Sequence, residues 1–240
     1  MNLPSPMEDL IRAIDALRER GLDITPTTGN AEIYLKFHWL ANTPPPRPAN
    51  WLQSAKAFNA PNNYPTQLAI LASFPEPMPP ECRDLLIDLL NAKDNGVMMK
   101  ACEVAGKSGD KTLLPEILAI IKTENNEWVF RSATTAAAQL GAKRALAEAA
   151  VEKLSNEKLT YDALRVLMPL VIDIPNSSGG FSTMTRMETL NMQTAWRNFI
   201  AQHGEDIDAG KKHKFGDDGF PRALLGKMTL THNGQRWPKE

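Results

Sequence analysis

The sequence has few of the features that mark a secreted, membrane-spanning or metal-dependent protein. It contains two cysteines among 240 residues, Cys82 and Cys102, and their separation matches no metal-binding motif. Both lie on apolar faces of predicted helices, so we expect buried, reduced thiols, with a disulfide as the alternative. No apolar run approaches the roughly 18 residues of a membrane-spanning helix. The amino-terminal residues also lack the apolar centre of a signal peptide, and we therefore expect a cytoplasmic protein without a membrane partner.

An excess of charge of one sign is also missing. The chain has 27 Lys and Arg residues against 28 Asp and Glu residues, a formal net charge of -1. Nucleic-acid-binding proteins commonly carry a basic surface that neutralises phosphates. The balanced charge therefore disfavours a nucleic-acid partner, and leaves only a local basic patch as a route to one.

Catalytic and phosphate-binding motifs are absent as well. The sequence has no GxSxG, P-loop or HExxH motif, and no GxGxxG in a strand context. Its densest polar cluster, His203–Lys214, has histidines and acids whose spacing matches no zinc or calcium motif. We interpret this cluster as a helix end followed by a solvated turn. The sequence thus predicts no enzyme, no metal site and no cofactor.

Proline is plentiful but unevenly placed. Thirteen of the 18 prolines precede Glu81, so residues 1–80 are predicted to form short helices joined by stiff loops. We call this segment a proline-rich helical N-terminal cap. Its predicted helices are Met7–Arg20, Glu32–Ala41, Trp51–Phe58 and Pro65–Phe74.

Regular helical spacing of apolar residues begins at Glu81. The predicted helices are Glu81–Ala92, Gly96–Lys107, Thr112–Thr123, Trp128–Leu140, Ala142–Leu154 and Leu159–Val171. A Ser/Gly-rich loop, Ile174–Gly180, then leads to a longer amphipathic helix, Met184–His203. Asn233-Gly234 between two β-rich segments is a hairpin signal. We therefore predict one continuous domain with segments 1–80, 81–173 and 174–240, the last a C-terminal helix with an irregular cap.

Two adjacent stretches, Asn95–Asn125 and Asn126–Asn156, repeat one pattern at an offset of 31 residues. Helix pairs whose apolar positions recur in this way bury their faces by stacking on neighbouring pairs. The predicted fold class is therefore all-α, a short α-solenoid of antiparallel helix pairs with a small C-terminal β-hairpin. The aligned positions include the sets Ala101, Ser132, Ala163; Cys102, Ala133, Leu164; and Ala105, Ala136, Leu167.

The phrase NEWVFRSATTAAAQLG resembles the short HEAT-like repeats first described in phycobilisome lyases. The matching residues are Asn126, Val129, Arg131, Ala133, Ala136, Leu140 and Gly141. The resemblance covers about Glu81–Leu170, and it implies an α-α superhelix. In that family the arginine usually bonds to neighbouring loop groups, which implies that Arg131 ties successive repeats together. Asp162, at the same position of the next repeat, interrupts this basic column. Because the repeat class serves many functions, the resemblance implies no particular chemistry.

The leading hypothesis is a non-catalytic protein–protein interaction module. A cytoplasmic bacterial inhibitor, an immunity protein or an assembly adaptor is the narrower expectation. The alternative is a HEAT-like enzyme, such as a DNA alkylpurine glycosylase or a chromophore lyase-type protein. The second helix of each pair is expected to present exposed residues of mixed charge to a protein partner: Asp84, Asp88, Glu116, Lys122, Glu152 and Lys153. Trp128 either packs against the preceding repeat or is an exposed anchor, since tryptophan is enriched in binding hot spots.

Overall fold

A computed structural model describes residues 49–173, 178–181, 184–214, 220–232 and 235–237. These residues form mainly α-helices with short strands near the carboxyl end, which confirms the predicted all-α class and its small hairpin. They belong to two compact bodies, which we call the N-terminal body, ending at Ser108, and the C-terminal body, starting at Gly109. The division falls inside the predicted repeat block. The predicted helices Met7–Arg20 and Glu32–Ala41 lie outside the described residues.

The described part of the N-terminal body is helical. Helix α1 spans Trp51–Phe58, α2 spans Tyr64–Ala72, α3 spans Arg83–Leu90 and α4 spans Asn95–Ser108, with a 3-10 turn at Pro80–Cys82. Helix α4 packs against both α2 and α3. The Trp51 indole fastens α1 to the end of α2, because its Nε1 donates to Ser73 Oγ at 3.0 Å and its ring meets Phe74 edge-on.

Both cysteines belong to this body, and both are free and buried, as expected. Burial in apolar surroundings raises the pKa of Cys82 to about 11 and the pKa of Cys102 to about 12. A thiol with so high a pKa is almost entirely protonated near neutral pH and is a poor nucleophile. The two cysteines are therefore core side chains.

The C-terminal body begins with helices in sequential contact. Helix α5 spans Leu114–Thr123, α6 spans Glu127–Gln139, α7 spans Arg144–Val151, α8 spans Thr160–Val171 and α9 spans Arg186–Ala209. Each packs on the next helix along the chain and on the next but one. Stacked helix pairs have this order of contacts. A solenoid that continues through the whole chain stays a prediction.

The repeating apolar positions lie where the pattern predicts. Ala133 and Ala136 on α6, and Ala163, Leu164 and Leu167 on α8, are buried in the C-terminal body. Both predicted bounds of α7 were wrong: the helix starts at Arg144 rather than Ala142 and ends at Val151 rather than Leu154. The chain then turns as far as Leu159, and the Thr160 hydroxyl donates to the carbonyl of Leu154 at 2.9 Å. This bond satisfies a carbonyl that a longer helix would have used.

Short strands complete the described C-terminal body. β1, Ile172–Asp173, pairs in parallel with β3, His213–Lys214. An antiparallel sheet has the order β2 (Ser178–Phe181), β4 (Met228–His232) and β5 (Gln235–Trp237). His232 pairs with Gln235, so β4 and β5 form the predicted hairpin. The residues of its predicted turn, Asn233 and Gly234, lie outside the described ranges. Residues 178–180, predicted as loop, belong to a strand because β4 supplies their hydrogen-bonding partners.

Helix α9 is longer than predicted, since it continues past His203 to Ala209 with a local break in helical geometry at His203. A capping box between Thr185 and Glu188 starts it, and Gly210, with φ of 73°, ends it. The buried Trp196 indole donates to the carbonyl of Leu224 at 2.8 Å. This bond holds the 3-10 turn Arg222–Leu224 against α9.

Candidate functional site

The amino end of α6 presents a tryptophan to solvent. Asn126 caps the helix, since its side-chain oxygen accepts from the amides of Trp128 at 3.0 Å and Val129 at 3.2 Å. The next residues, Val129 and Phe130, are fully buried, so the helix leaves Trp128 on the outer face with 54% of its surface exposed. Of the two roles predicted for Trp128, the exposed position is the one observed. Packing of Trp128 against the preceding repeat stays a prediction.

Arg131 lies one turn further along α6 and covers the indole. Its Cζ is 4.9 Å from the centroid of the Trp128 ring, a cation–π distance. The guanidinium also bonds bidentately to Asp162 on α8, with Nε to Oδ1 at 2.9 Å and Nη2 to Oδ2 at 3.2 Å. The hydrogen bond to Asp162, more than any other contact, raises the pKa of Arg131. Arg131 therefore stands in one fixed orientation beside the exposed ring.

The Arg131–Asp162 pair joins equivalent positions of successive repeats, because the two residues are 31 apart. Arg131 thus ties α6 to α8 through a helix residue rather than through loop groups, and its role as a tie between HEAT-like repeats stays a prediction. The pair also corrects the interpretation of Asp162 as an interruption of the basic column. The side chain of Asp162 is only 6% exposed, and a second cation in its place would repel Arg131. The change of sign is what allows the two repeats to bond.

A second aromatic–arginine pair lies on α8 next to Asp162. The Cζ of Arg165 is 5.8 Å from the centroid of the half-buried Tyr161 ring. Tyr161 is also near enough to Arg131 to contribute to its raised pKa. We call the set Trp128, Arg131, Tyr161 and Arg165 the Trp128 surface. Tryptophan, tyrosine and arginine are the residue types most enriched at binding hot spots.

A polar contact between loops also links the repeats. The side-chain oxygen of Asn125 accepts from Asn156 Nδ2 at 3.0 Å and from Lys153 Nζ at 3.3 Å. Asn125 and Asn156 are again 31 residues apart. Lys153 was predicted to be exposed, and this was wrong: 5% of its surface is accessible, and burial lowers its pKa. Because α7 ends early, the turn directs Lys153 inward toward the neighbouring repeat.

The other residues predicted to form the exposed, mixed-charge face differ in their exposure and in their ion pairs. Glu152 is exposed, but its carboxylate bonds bidentately to Arg197 on α9, at 2.7 and 3.2 Å. Lys122 is exposed and Glu116 is half-buried, both on α5 of the C-terminal body. Asp84 and Asp88 are exposed on α3, in the N-terminal body. Their role in binding a partner stays a prediction.

The cluster His203–Lys214 is packed more closely than predicted. His203 stacks on Phe199 with ring centroids 4.6 Å apart, and Asp206 bonds Lys211 at 2.6 Å. These four residues, with His213, line a cavity of about 190 Å³. The helix ends at Ala209 and residues 210–212 after it are exposed, which confirms the predicted helix end followed by a solvated turn. Phe199 four residues before His203 was the signal for the stacking. Within the described ranges, no group of three or more His, Cys, Asp or Glu side chains could hold a metal ion.

No protein-family model, no curated protein and no solved structure matches this chain. The resemblance to HEAT-like repeats thus has its support in the sequence motif and in the two contacts at the repeat spacing. In the described parts of the chain, no helix is long and apolar enough to cross a lipid bilayer.

Proposed function

We propose that this chain is a protein-binding module of HEAT-like repeats that presents the Trp128 surface to a protein partner. The observation that carries the proposal is the Trp128 ring, of which 54% of the surface is exposed. The Arg131 guanidinium lies against the ring, and the buried Asp162 holds Arg131 in place. A large aromatic ring exposed to water has an unfavourable hydration that a partner can relieve. A handful of such residues dominate the binding energy of most interfaces.

The fixed geometry favours binding. An exposed arginine and an exposed tryptophan would normally lose side-chain freedom when a partner orders them. Here the bidentate bonds to Asp162 have already removed most of that freedom from Arg131. Since Asp162 also balances the charge of Arg131, a partner needs an apolar pocket for the indole more than a carboxylate. Arg165, exposed on α8 beside Tyr161, is a cation that an acidic rim of the partner would match.

The mechanism that this surface supports is steric: the partner's pocket closes over Trp128 and the bound module covers what lies around it. An inhibitor, an immunity protein and an assembly adaptor all act in this way. The narrower role, the cytoplasmic location and the absence of catalysis stay predictions.

The test compares partners captured by the full chain and by Trp128→Ala. Each protein is immobilised, exposed to a lysate of the source cells, and its bound proteins are quantified by mass spectrometry. Met187→Ala is a matched control, because Met187 is a large apolar residue of the same body and is 66% exposed. We expect one stoichiometric partner that binds wild type and Met187→Ala equally.

Purified partner then gives the affinity. Loss of a tryptophan hot spot weakens binding by about 2 kcal/mol or more, roughly 30-fold in Kd. Arg131→Lys, which keeps the charge but loses the planar bidentate fork, should weaken binding by a smaller factor. Equal capture of every protein by wild type and Trp128→Ala would overturn the proposal.

A further inference from the structure

Trp128 is flanked by two hydrogen-bonded links to the same stretch of the chain, residues 156–162. Three residues before Trp128, the side-chain oxygen of Asn125 accepts from Asn156 Nδ2 at 3.0 Å. Three residues after Trp128, the Arg131 guanidinium bonds both carboxylate oxygens of Asp162, at 2.9 and 3.2 Å. The proposed function uses only the second link. Together the two links hold the amino end of α6 from both sides against the start of α8 and the turn before it.

The short connection between α5 and α6 is itself ordered by hydrogen bonds. The carboxylate of Glu124 accepts from the backbone amides of Asn125 at 2.7 Å and Asn126 at 3.1 Å. Asn126 in turn caps α6 through the amides of Trp128 and Val129. The backbone that carries Trp128 is therefore fixed in the free protein. Binding then costs little loop ordering, but the surface also cannot reshape itself around a partner.

The Trp128 surface projects from the molecule. Trp128 is exposed, whereas the residues that follow it, Val129 and Phe130, are fully buried. The cavities of about 190, 250 and 350 Å³ in the described part of the chain are all lined by other residues. Peptide segments are commonly recognised in a groove or at a free sheet edge. The Trp128 surface consists of two α-helices, whose backbone groups bond within each helix. The recess that encloses the indole must therefore come from the partner.

The charges of the surface indicate what surrounds that recess. The charge of Arg131 is balanced by Asp162 at 2.9 Å and by Glu127 at 4.0 Å. Arg165 is exposed and lies beside the Tyr161 ring, which brings no charge. A carboxylate on the rim of the recess would therefore complement Arg165 rather than Arg131.

We propose that the partner of the Trp128 surface is a folded protein with a preformed apolar pocket and an acidic rim, and not an unfolded peptide segment. An unfolded segment has no pocket in its free state, and forming one around a single ring costs the conformational entropy of every residue that becomes ordered. This class of partner rests on the proposed function, because the surface is the same. Asn125 is then a positioning residue, which acts on binding only through Trp128.

Two probes separate a folded partner from a peptide: the native lysate of the source cells, and the same lysate digested to peptides with trypsin that is then inactivated. Each is passed over the immobilised full chain, Trp128→Ala and the control Met187→Ala, and the bound material is quantified by mass spectrometry. We expect a protein from the native lysate that wild type and Met187→Ala retain and that Trp128→Ala loses. From the digest we expect no peptide whose retention depends on Trp128.

Asn125→Ala tests the positioning role, because it removes the link to Asn156 and leaves the side chains of the Trp128 surface unchanged. Asn198→Ala is the matched control, since Asn198 is an exposed asparagine of the same body. We expect Asn125→Ala to weaken binding of the captured protein by about threefold, with a melting temperature close to that of wild type. In a Trp128→Ala background it should cause no further loss, because its effect passes through Trp128. Asn198→Ala should change neither quantity.

The outcomes separate the class of partner from the proposed function. If no material from either probe depends on Trp128, the proposed function fails and the class of partner fails with it. Capture of a peptide from the digest that depends on Trp128 overturns only the folded partner and leaves the protein-binding surface in place. Equal binding by wild type and Asn125→Ala, or a loss that adds fully to that of Trp128→Ala, overturns the positioning role of Asn125.

Discussion

The two bodies differ in the hydrogen-bond partners of their buried polar groups. In the C-terminal body, Asp162 and Lys153 are buried, and each has a partner on the neighbouring repeat, Arg131 and Asn125 respectively. In the N-terminal body, Thr66 Oγ1 and Gln67 Oε1 are buried and have none.

Repetition explains it. When successive repeats stack, equivalent positions come next to each other, and a polar residue at one position needs only a complementary residue one period later. Arg131 with Asp162 and Asn125 with Asn156 follow this rule at a separation of 31 residues. Helices α1 and α2 are not related in this way, and Gln67 Oε1 is left without a partner, although Gln67 Nε2 donates to Asn59. The difference separates buried polar groups that bond neighbouring helices together from buried polar atoms that have no partner.

The largest effect is expected from Arg131→Ala. It leaves the buried Asp162 carboxylate unpaired, which should lower the free energy of unfolding of the C-terminal body by about 3 kcal/mol. Urea denaturation followed by circular dichroism measures it. The double variant Arg131→Met with Asp162→Leu replaces the ion pair with an apolar pair and should recover most of the loss. A loss below about 0.5 kcal/mol in the single variant would mean that the pair does not stabilise the stack.

Lys153→Met should raise stability near neutral pH by about 1 kcal/mol, because it removes a partly desolvated charge. Burial lowers the pKa of Lys153 in the folded state below its ordinary value of 10.5. Between these two pKa values the unfolded chain binds more protons, so wild type gains stability as the pH rises. The difference between variant and wild type should therefore shrink from about pH 7 to about pH 10.

Urea midpoints at both pH values measure this effect. Lys122→Met is the matched control, since Lys122 is exposed in the same body. A difference between Lys153→Met and wild type that stays constant with pH, or one that Lys122→Met reproduces, would contradict the assignment of Lys153 as a buried charge.

Thr66→Val tests the unpaired buried hydroxyl of the N-terminal body. The buried hydroxyl of Thr66 has no partner, so its replacement by a methyl group of similar shape should stabilise the N-terminal body by up to about 1 kcal/mol. Differential scanning calorimetry measures the shift. Thr134→Val is the control, because the buried Thr134 hydroxyl donates to the carbonyl of Phe130 at 2.9 Å and should give no gain. Equal effects in the two variants would refute the distinction.

The smallest signal is expected from cysteine labelling. With pKa values raised to about 11 for Cys82 and about 12 for Cys102, neither thiol should react with iodoacetamide in the folded protein at about pH 8. Both should react in urea. Any native-state reaction reports opening of the N-terminal body, and Thr66→Val should slow it by about fivefold if it adds 1 kcal/mol of stability. Rapid native labelling of either cysteine would show that the thiols are not core side chains.

Helical periodicity was enough to predict the fold class, because it depends on residues close together in the chain. The apolar spacing of α6 and α8 placed the buried positions correctly, and the Asn-Gly dipeptide located the hairpin. The early end of α7 was not predictable in the same way. The turn after α7 is stabilised by Thr160, whose hydroxyl donates to the carbonyl of Leu154 six residues earlier. Because the helix was predicted to continue to Leu154, Lys153 was predicted to be exposed rather than buried.

The candidate sites depended more on tertiary structure than the fold did. Trp128 and Arg131 were singled out from the sequence, but the bond of Arg131 to Asp162 required the packing of α6 on α8. Gln67 attracted no attention, since a glutamine within a short helix has no local signal. Only the enclosure of its side chain by α1 and α3 makes its oxygen a buried atom without a partner.

By itself, the sequence determined the helices, the 31-residue period and the free, buried cysteines, because these follow from local spacing and from side-chain hydrophobicity. The tertiary structure decided which charges became buried pairs, which tryptophan stayed exposed and which amide lacked a bond. Those outcomes depend on residues from distant parts of the chain meeting at distances of about 3 Å. A hydrogen bond needs both a donor and an acceptor. When these belong to different helices, the bond forms or fails to form only when the helices pack.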